Sequence, residues 1–136
     1  MDAMVHTVNV GMAGEVAELQ LELKKRQWLS AVRWRQRVNA CLAPFGLSFS
    51  DWLVLDATWS LMHRTGDAVS QNELGKALEL DGLTVWHAMA ILEHRGLVNR
   101  GCSMSGKTWR VFVTRQGADL LRAIQPGVER ASAASS

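Results

Sequence analysis

The first third of the chain has the hydrophobic pattern of one long helix. The pattern runs from about Gly14 to Ala43, and Pro44 and Gly46 end it. At roughly 1.5 Å per residue such a helix is about 45 Å long, which is more than a small compact domain needs. We therefore expect part of it to pack against a second chain. Residues 1–13, with the alternating stretch VHTVNV, carry no firm pattern, and we expect a flexible arm there.

A second helix is predicted to begin at Ser50, whose hydroxyl suits the cap position, and to end at Gly66. Its sequence, SDWLVLDATWSLMH, is apolar on most faces. A helix of this kind lies in the middle of a fold.

The stretch SQNELGKALELDGLTVWHAMAILEHRGLVNR predicts two short helices. Ser70 and Glu73 have the spacing of a capping box, so the first helix begins there. Asp81 breaks the pattern, and the second helix covers about residues 83–95. Its core-facing side chains recur at helical spacing: Val85, Ala88, Met89 and Leu92. Two short helices joined by a brief turn form a helix-turn-helix.

The remaining chain predicts a β-hairpin and a final helix. LVNR and TWRVFV suit two strands, with GCSMSGK as the turn between them. The last helix opens at Thr114 and stops before Pro126. Residues 126–136 are small and polar, so we expect a disordered tail.

Residues 101–108, GCSMSGKT, match the phosphate-loop pattern, but their context does not. A phosphate loop delivers its phosphates to a helix N-terminus, whereas Lys107 is followed by a strand. No arrangement of catalytic groups, such as Ser-His-Asp, HExxH or paired carboxylates, stands out in the sequence. We therefore expect neither an enzyme nor a bound cofactor.

Length and composition set outer bounds on the class of protein. The 136 residues, 48% of them hydrophobic, suffice for one domain. No apolar stretch approaches the roughly 20 residues of a membrane span, and no export signal is recognisable. We expect a cytoplasmic protein with no membrane partner. Cys41 and Cys102 are too isolated to indicate a metal site or a disulfide framework.

Charged residues are segregated along the chain, although the net charge is only +2. Residues 24–37 contain six basic residues and no acidic one, and residues 82–122 contain six basic residues against Glu93 and Asp119. Residues 67–81 contain four acidic residues against Lys76. Such segregation suits a polyanionic partner, while a solvated helix face explains any single cluster about as well.

The order helix-turn-helix, basic hairpin and a helix opening at VFVTRQG resembles the MarR family of winged helix-turn-helix regulators. The resemblance covers about residues 46–124 and rests on SQNELGKALELD, LEHRGLVNR and VTRQG. It implies a mainly α fold with a small β-wing and a long N-terminal dimerisation helix. In a single domain, 14–125, dimerisation helices span residues 14–45 and 114–125, and the DNA-binding lobe spans residues 47–113.

The same resemblance implies a homodimer on double-stranded DNA, with the second motif helix in the major groove and the wing against the minor groove. Within that helix the family usually has small polar residues and an arginine, whereas this chain has Leu83, Thr84, Trp86 and His87, and Ile91 replaces an often basic residue. Thr84 and His87 can still contact base edges. Trp86 either contacts a base or packs on the wing or the preceding helix.

Three further DNA contacts are implied outside that helix. Lys107, on the hairpin tip, is the cation for the minor groove, and Arg110 suits a phosphate contact. Gln71 lies at the start of the first motif helix, where side chains commonly touch the DNA backbone. Relatives usually have one more C-terminal dimerisation helix, so pairing here must rest on the long first helix.

The chain contains six tryptophans and no tyrosine, which is an unusual aromatic composition. Trp28, Trp34 and Trp59, together with Trp52, could line a pocket for a small aromatic effector, although tryptophans at helical spacing are more often core residues. A redox role for Cys41 is disfavoured because the chain has no tyrosine that could activate the thiol, and because Cys41 lies late in its helix.

These features together predict a ligand-responsive, MarR-type repressor that reads a roughly palindromic operator as a homodimer. The alternative is a ligand-binding or heterodimerising module of the same fold that has lost sequence-specific DNA binding. The exposed-face positions of Leu83, Trp86 and Ile91 favour that alternative. The operator, the effector and the direction of regulation stay open.

Overall fold

The computed structural model of the chain describes residues 2–102 and 109–135, with the side chains of residues 12–101 and 109–134. Five α-helices and three short strands follow in the order α1 (Asp2–Leu42), α2 (Phe49–Thr65), β1 (Val69–Ser70), α3 (Gln71–Leu78), α4 (Gly82–His94), β2 (Val98–Cys102), β3 (Trp109–Val113) and α5 (Arg115–Ser135). A 3-10 turn, Ala43–Phe45, joins α1 to the chain before α2.

Helix α1 is longer than the sequence pattern predicts. It begins at Asp2, so residues 2–13 belong to the helix and do not form a separate arm. The stretch contains no proline, so none of its residues interrupts a helix. At the other end Pro44 lies in the 3-10 turn, and Gly46 ends it with a left-handed φ of 68°.

The cap residue of helix α2 lies two residues earlier than predicted. Ser48, not Ser50, is the cap residue, and its hydroxyl oxygen accepts a hydrogen bond from the amide of Asp51 at 3.1 Å. Both serines carry a suitable side chain, and the extended backbone at Ser48 decides between them. Gly66 ends the helix as predicted, in the left-handed conformation. The central position of α2 is also confirmed, since Val54 and Leu55 are fully buried.

The helix-turn-helix is confirmed in α3 and α4. Both hydrogen bonds of the Ser70–Glu73 capping box are present at the start of α3. The turn passes through Glu79, which has a left-handed φ of 53°, and Asp81 caps α4. The predicted core side of α4 is buried as expected, namely Val85, Ala88, Met89 and Leu92.

The hairpin strands β2 and β3 are confirmed, but the sheet has a third strand. Its order is β1-β3-β2, with both pairings antiparallel. Two residues are too few to show an alternating pattern, so β1 gives no sequence signal. In β3, Val111 and Val113 are buried, whereas Trp109 at the hairpin end is exposed. The GCSMSGK turn itself lies mostly outside the described residues.

The predicted disordered tail is wrong, because α5 continues past Pro126 to Ser135. Proline inside a helix costs one backbone hydrogen bond. Here the following turns bury Val128 and Ala131 against the rest of the fold. The thiol of Cys41 also donates to the carbonyl oxygen of Gly127 at 3.3 Å. These contacts with α1 hold the continuation in place.

The buried residues form one continuous cluster contributed by all five helices and the sheet. Its largest fully buried side chains include Leu42, Leu55, Leu74, Met89, Leu92, Leu97 and Ile124. In the cluster α4 supplies one face only, which leaves its opposite face in solvent.

None of the helices in the described part of the chain is by itself long and apolar enough to cross a membrane. Met12–Phe45 and Phe49–Thr65 reach that length and hydropathy only as a pair, which is bent by 87°.

Candidate nucleic-acid interface

The start of α4 is fixed by a local network between Asp81 and Thr84. The amide of Thr84 donates to Oδ1 of Asp81 at 2.8 Å, and the Thr84 hydroxyl donates to Oδ2 at 2.9 Å. These bonds from Thr84 lower the pKa of Asp81, so the carboxylate stays ionised at the helix N-terminus. Thr84 therefore already uses its proton, and it offers its methyl group and lone pairs to other partners.

The solvent-exposed face of α4 is more apolar than a protein surface that binds nucleic acid usually is. Leu83 is 65% exposed, Trp86 49% and Ile91 47%. His87 is exposed on the same face, with its ring 5.3 Å from that of Trp86 in an edge-on arrangement. Thr84 is half-buried, and none of these side chains is enclosed in the core. The face can therefore meet a large partner directly.

An open cleft of about 610 Å³ separates α4 from the sheet. Two of the predicted residues, Gln71 and Trp86, lie in its wall. The other lining residues are Glu93, Asn99, Arg100 and Trp109. The cleft places aromatic surface and amide groups from four different elements beside the exposed face of α4.

One ion pair lies across this cleft. Arg100 Nε is 2.8 Å from Oε2 of Glu93, and its Nη2 donates to Oε1 at 3.3 Å. The hydrogen bond from Arg100 lowers the pKa of Glu93, and the same bond raises the pKa of Arg100. The pair ties β2 to α4 and so holds the hairpin against the helix-turn-helix.

Arg110 is placed differently from the cleft residues. Its Nη1 donates to the carbonyl oxygen of Ala68 at 2.9 Å and lies 3.9 Å from a carboxylate oxygen of Asp67. Because side chains alternate along a strand, Arg110 lies on the opposite face of β3 from Trp109 and Val111. The guanidinium thus links β3 to the chain before β1 in this structure.

Of the six predicted DNA contacts, the structure groups four around α4 and its cleft: Gln71, Thr84, Trp86 and His87. Gln71 is the first residue of α3 and is half-buried. Arg110 instead contacts Ala68 and Asp67, before β1. Lys107 lies outside the described residues.

The three tryptophans predicted for an effector pocket lie in different surroundings. Trp34 packs edge-on against Phe49 and Trp52, and its Nε1 donates to Ser132 Oγ at 3.0 Å. Trp59 packs on His63 with ring centroids 4.2 Å apart, and Trp28 is 68% exposed on α1.

A second open cleft of about 610 Å³ lies at the end of α2, and it is lined by Met62, His63, Gly66, Asp67, Ala68 and Phe112. None of the three predicted tryptophans is among those residues. The effector pocket therefore stays a prediction.

Sequence reasoning missed four of the six residues that line the α4 cleft: Glu93, Asn99, Arg100 and Trp109. They come from α4, β2 and β3, and no local spacing connects them. It also missed Arg95, whose guanidinium donates to the carbonyl oxygens of Phe45 and Gly46. Only the basic character of residues 82–122 gave any signal for the two arginines.

Among the described residues no group of three histidine, cysteine or acidic side chains could hold a metal ion. Cys41 is a free thiol that donates to Gly127, and the side chain of Cys102 lies outside the described part of the chain. The side chains that line the described cleft are aromatic, amide and charged groups.

A helix-turn-helix followed by a β-hairpin packed on its second helix defines the winged helix-turn-helix class. No family model and no curated protein matches the sequence. Among solved structures, reduced AbfR bound to DNA is similar with a TM-score of 0.72 and 22% identity, over 88% of this chain and 84% of that chain.

Two further structures point to the same version of the fold. A MarR-family transcriptional regulator from Rhodococcus sp. RHA1 has a TM-score of 0.67 and 23% identity, over 85% of this chain and 76% of that chain. CouR from Rhodococcus jostii RHA1 bound to p-coumaroyl-CoA has a TM-score of 0.62 and 26% identity, over 72% of this chain and 66% of that chain. The chain therefore has the winged helix fold of MarR-family transcriptional regulators, with a long N-terminal helix.

Proposed function

We propose that this chain is a cytoplasmic DNA-binding transcriptional regulator of the MarR type, acting as a homodimer and as a ligand-responsive repressor. The observation that carries the proposal is the placement of α4: its core side is buried, and its opposite side lies free beside the hairpin. The fold is shared with AbfR, which was solved bound to DNA. Three of the similar structures are described as transcriptional regulators, which supports a role other than catalysis.

In this proposal α4 enters the major groove with its N-terminal half foremost. Thr84 and His87 then meet base edges, and Trp86 covers the sugar-phosphate edge beside the cleft. Gln71 contacts the backbone from the first turn of α3, and Lys107 reaches the minor groove from the hairpin. Residues 47–113 form the DNA-binding lobe, while α1 and α5 serve dimerisation.

The number of phosphate contacts can be measured from the salt dependence of the affinity for DNA. For the wild-type protein, log affinity should fall with log salt at a slope near 0.9 per neutralised phosphate. Lys107→Ala should reduce that slope by about 1. Arg110→Ala is the matched comparison, and the Ala68 contact leads us to expect a smaller change in slope from it. A wild-type slope near zero would contradict the electrostatic part of the proposal.

Base readout can be tested with two histidines on the same helix. His87→Ala should weaken binding to a selected genomic fragment by about 1–3 kcal/mol, because it removes a donor from the groove-facing half of α4. His94→Ala is the control, since His94 is exposed in the last turn of the same helix. The measurement is a titration against fragments recovered by selection with the purified protein. Equal losses for both variants would remove the assigned role of His87.

Ligand response is supported by the similarity to CouR, which was solved with p-coumaroyl-CoA bound. From this similarity we expect only that a planar aromatic effector binds this chain and weakens its binding to DNA. A thermal shift produced by such a compound, together with release of the selected fragment, would support it.

The exposed apolar residues Leu83, Trp86 and Ile91 favour the second candidate, a pairing module without DNA binding. Recovery of no fragment from the selection would favour that candidate.

A further inference from the structure

Two exposed indole rings line the α4 cleft from different walls. Trp86 belongs to α4 and is 49% exposed, and Trp109 is the first residue of β3 and is 59% exposed. Because side chains alternate along a strand, Trp109 lies on the same face of the sheet as Val111, which is fully buried against the helices. The two rings therefore supply flat apolar surface on which a planar group can stack.

An ion pair holds the two walls of the cleft together. Glu93 follows Trp86 by seven residues, so it lies on the same side of α4, about 10 Å further along the helix axis. It accepts a hydrogen bond of 2.8 Å from Arg100 on β2. The cleft stays open beside this contact, with a volume of about 610 Å³. That volume lies within the roughly 300–1,000 Å³ of small-molecule sites.

Two side-chain amides also line the cleft. Gln71 comes from the start of α3 and is half-buried, and Asn99 comes from β2 and is exposed. A primary amide both donates and accepts hydrogen bonds, so it suits a ligand with donors and acceptors along one edge. Adenine is such a ligand, because asparagine and glutamine amides pair with its N6 and N7.

The charges of the cleft favour a neutral ligand. In the described lining the charged side chains are Glu93 and Arg100, which neutralise each other through two hydrogen bonds. An aromatic carboxylate would have to compete with Glu93 for the guanidinium. A nucleic-acid strand would bring phosphates, for which this described lining holds no cation outside the ion pair. A neutral heterocycle meets neither difficulty.

We propose that the α4 cleft binds a free nucleoside of the adenine type, stacked against Trp86 and Trp109. The amides of Gln71 and Asn99 hold the edge of its base. Gln71 and Trp86 are also DNA contacts in the proposed function, so the nucleoside and DNA exclude each other. The proposal thus deepens the ligand response, and its DNA part rests on the proposed function.

The indole N–H signals of the tryptophans locate the ligand by NMR. Titration of the ¹⁵N-labelled full-length chain with adenosine should move the signals of Trp86 and Trp109. The signal of Trp28, which is 68% exposed on α1, should stay in place. Benzoate, a planar anion, should bind more weakly than adenosine. Unmoved Trp86 and Trp109 signals at millimolar adenosine, or tighter binding of benzoate, would overturn the proposal.

Two aromatic residues on β3 provide a matched pair of variants. Trp109→Ala should weaken adenosine binding about tenfold, because stacking on one aromatic ring has an effect of this order. Phe112→Ala is the control, since Phe112 is 40% exposed on the opposite face of the same strand. Circular dichroism checks that both variants are folded. Equal weakening by the two substitutions would contradict the assignment of the site to this cleft.

A single DNA strand is the other source of an unpaired base. A short oligodeoxyadenosine carries the same rings together with phosphates, and we expect it to bind no more tightly per base than adenosine does. If the strand moves the Trp86 and Trp109 signals at concentrations at which adenosine leaves them in place, the cleft binds a strand and the free-nucleoside proposal is wrong.

The nucleoside site and the DNA-binding function can fail separately. Adenosine at about ten times its dissociation constant should lower the apparent affinity for a selected DNA fragment about tenfold. Bound adenosine without that loss would overturn the mutual exclusion. A protein that retains no fragment but shows both indole shifts supports the nucleoside site and contradicts the regulator. A protein that retains a fragment and shows neither shift overturns the nucleoside site alone.

Discussion

Asp81 and Thr84 show how much of the candidate interface is fixed by single residues. Two hydrogen bonds within three residues cap α4 and hold the carboxylate in its ionised form. Arg100 and Arg110 behave differently, because their partners lie seven and 42 residues away in the chain. A residue's type indicates that it will seek such a partner, while the fold decides which partner it finds.

The Asp81 cap should be visible in the pH dependence of stability. Its pKa is lowered from the ordinary value of 3.8 in the folded chain, so its contribution is present above that value and is lost as pH falls through the lowered pKa. Asp81→Ala should therefore lower the melting temperature at neutral pH, and the gap to wild type should close in acid. Asp81→Asn, which can still cap but does not titrate, should keep a more constant gap. A gap for Asp81→Ala that is unchanged down to pH 2 would contradict this account.

At the scale of the secondary-structure elements, the position of α5 depends on a close contact between Gly117 and the sheet. A Cβ on Gly117 would collide with the carbonyl oxygen of Leu97 and lie 2.8 Å from Cγ1 of Val113. The glycine thus lets the first turn of α5 lie directly against the start of β2 and the end of β3. This contact sets the position of the hairpin relative to the helices.

Gly117→Ala should destabilise the protein by about 1–3 kcal/mol, because backbone must move to make room for the methyl group. Gly14→Ala is the matched control in an exposed helix, where an added Cβ meets nothing within 4 Å. That change should be neutral or should stabilise by up to about 1 kcal/mol, as alanine is the better helix former. Urea unfolding of both variants measures the difference. A stable Gly117→Ala variant would show that the close packing of α5 on the sheet is not required.

At the scale of the whole molecule, α1 and α5 form an antiparallel pair that carries the winged lobe. The pairing is held by buried Val128 and Ala131 and by the Trp34–Ser132 hydrogen bond. The second half of α5 is therefore part of the folded structure.

Removal of residues 127–136 should lower stability by at least about 2 kcal/mol, since it exposes the surface that Val128 and Ala131 cover. The fluorescence of Trp34 should shift to longer wavelength as its surroundings become wetter. Glu129→Ala is the control for a change on the exposed side of the same segment. An unchanged unfolding midpoint after truncation would agree with a disordered tail and contradict the packing described here.

The sequence by itself determined the features that depend on neighbours a few residues apart. The Ser70–Glu73 capping box, the break at Asp81, the buried stripe of α4 and the two hairpin strands could all be predicted, because caps and periodicity act over one or two turns. The motif order was sufficient for the winged helix fold as well.

Only the tertiary structure decided the features that join distant segments. The strand β1 exists because Val69 and Ser70 find partners on β3, about 40 residues later. The continuation of α5 past Pro126 depends on packing against α1, and the cleft beside α4 collects residues from four elements. Such contacts require the whole chain to fold first, because the free energy that favours them comes from burial between segments and not from local backbone preference.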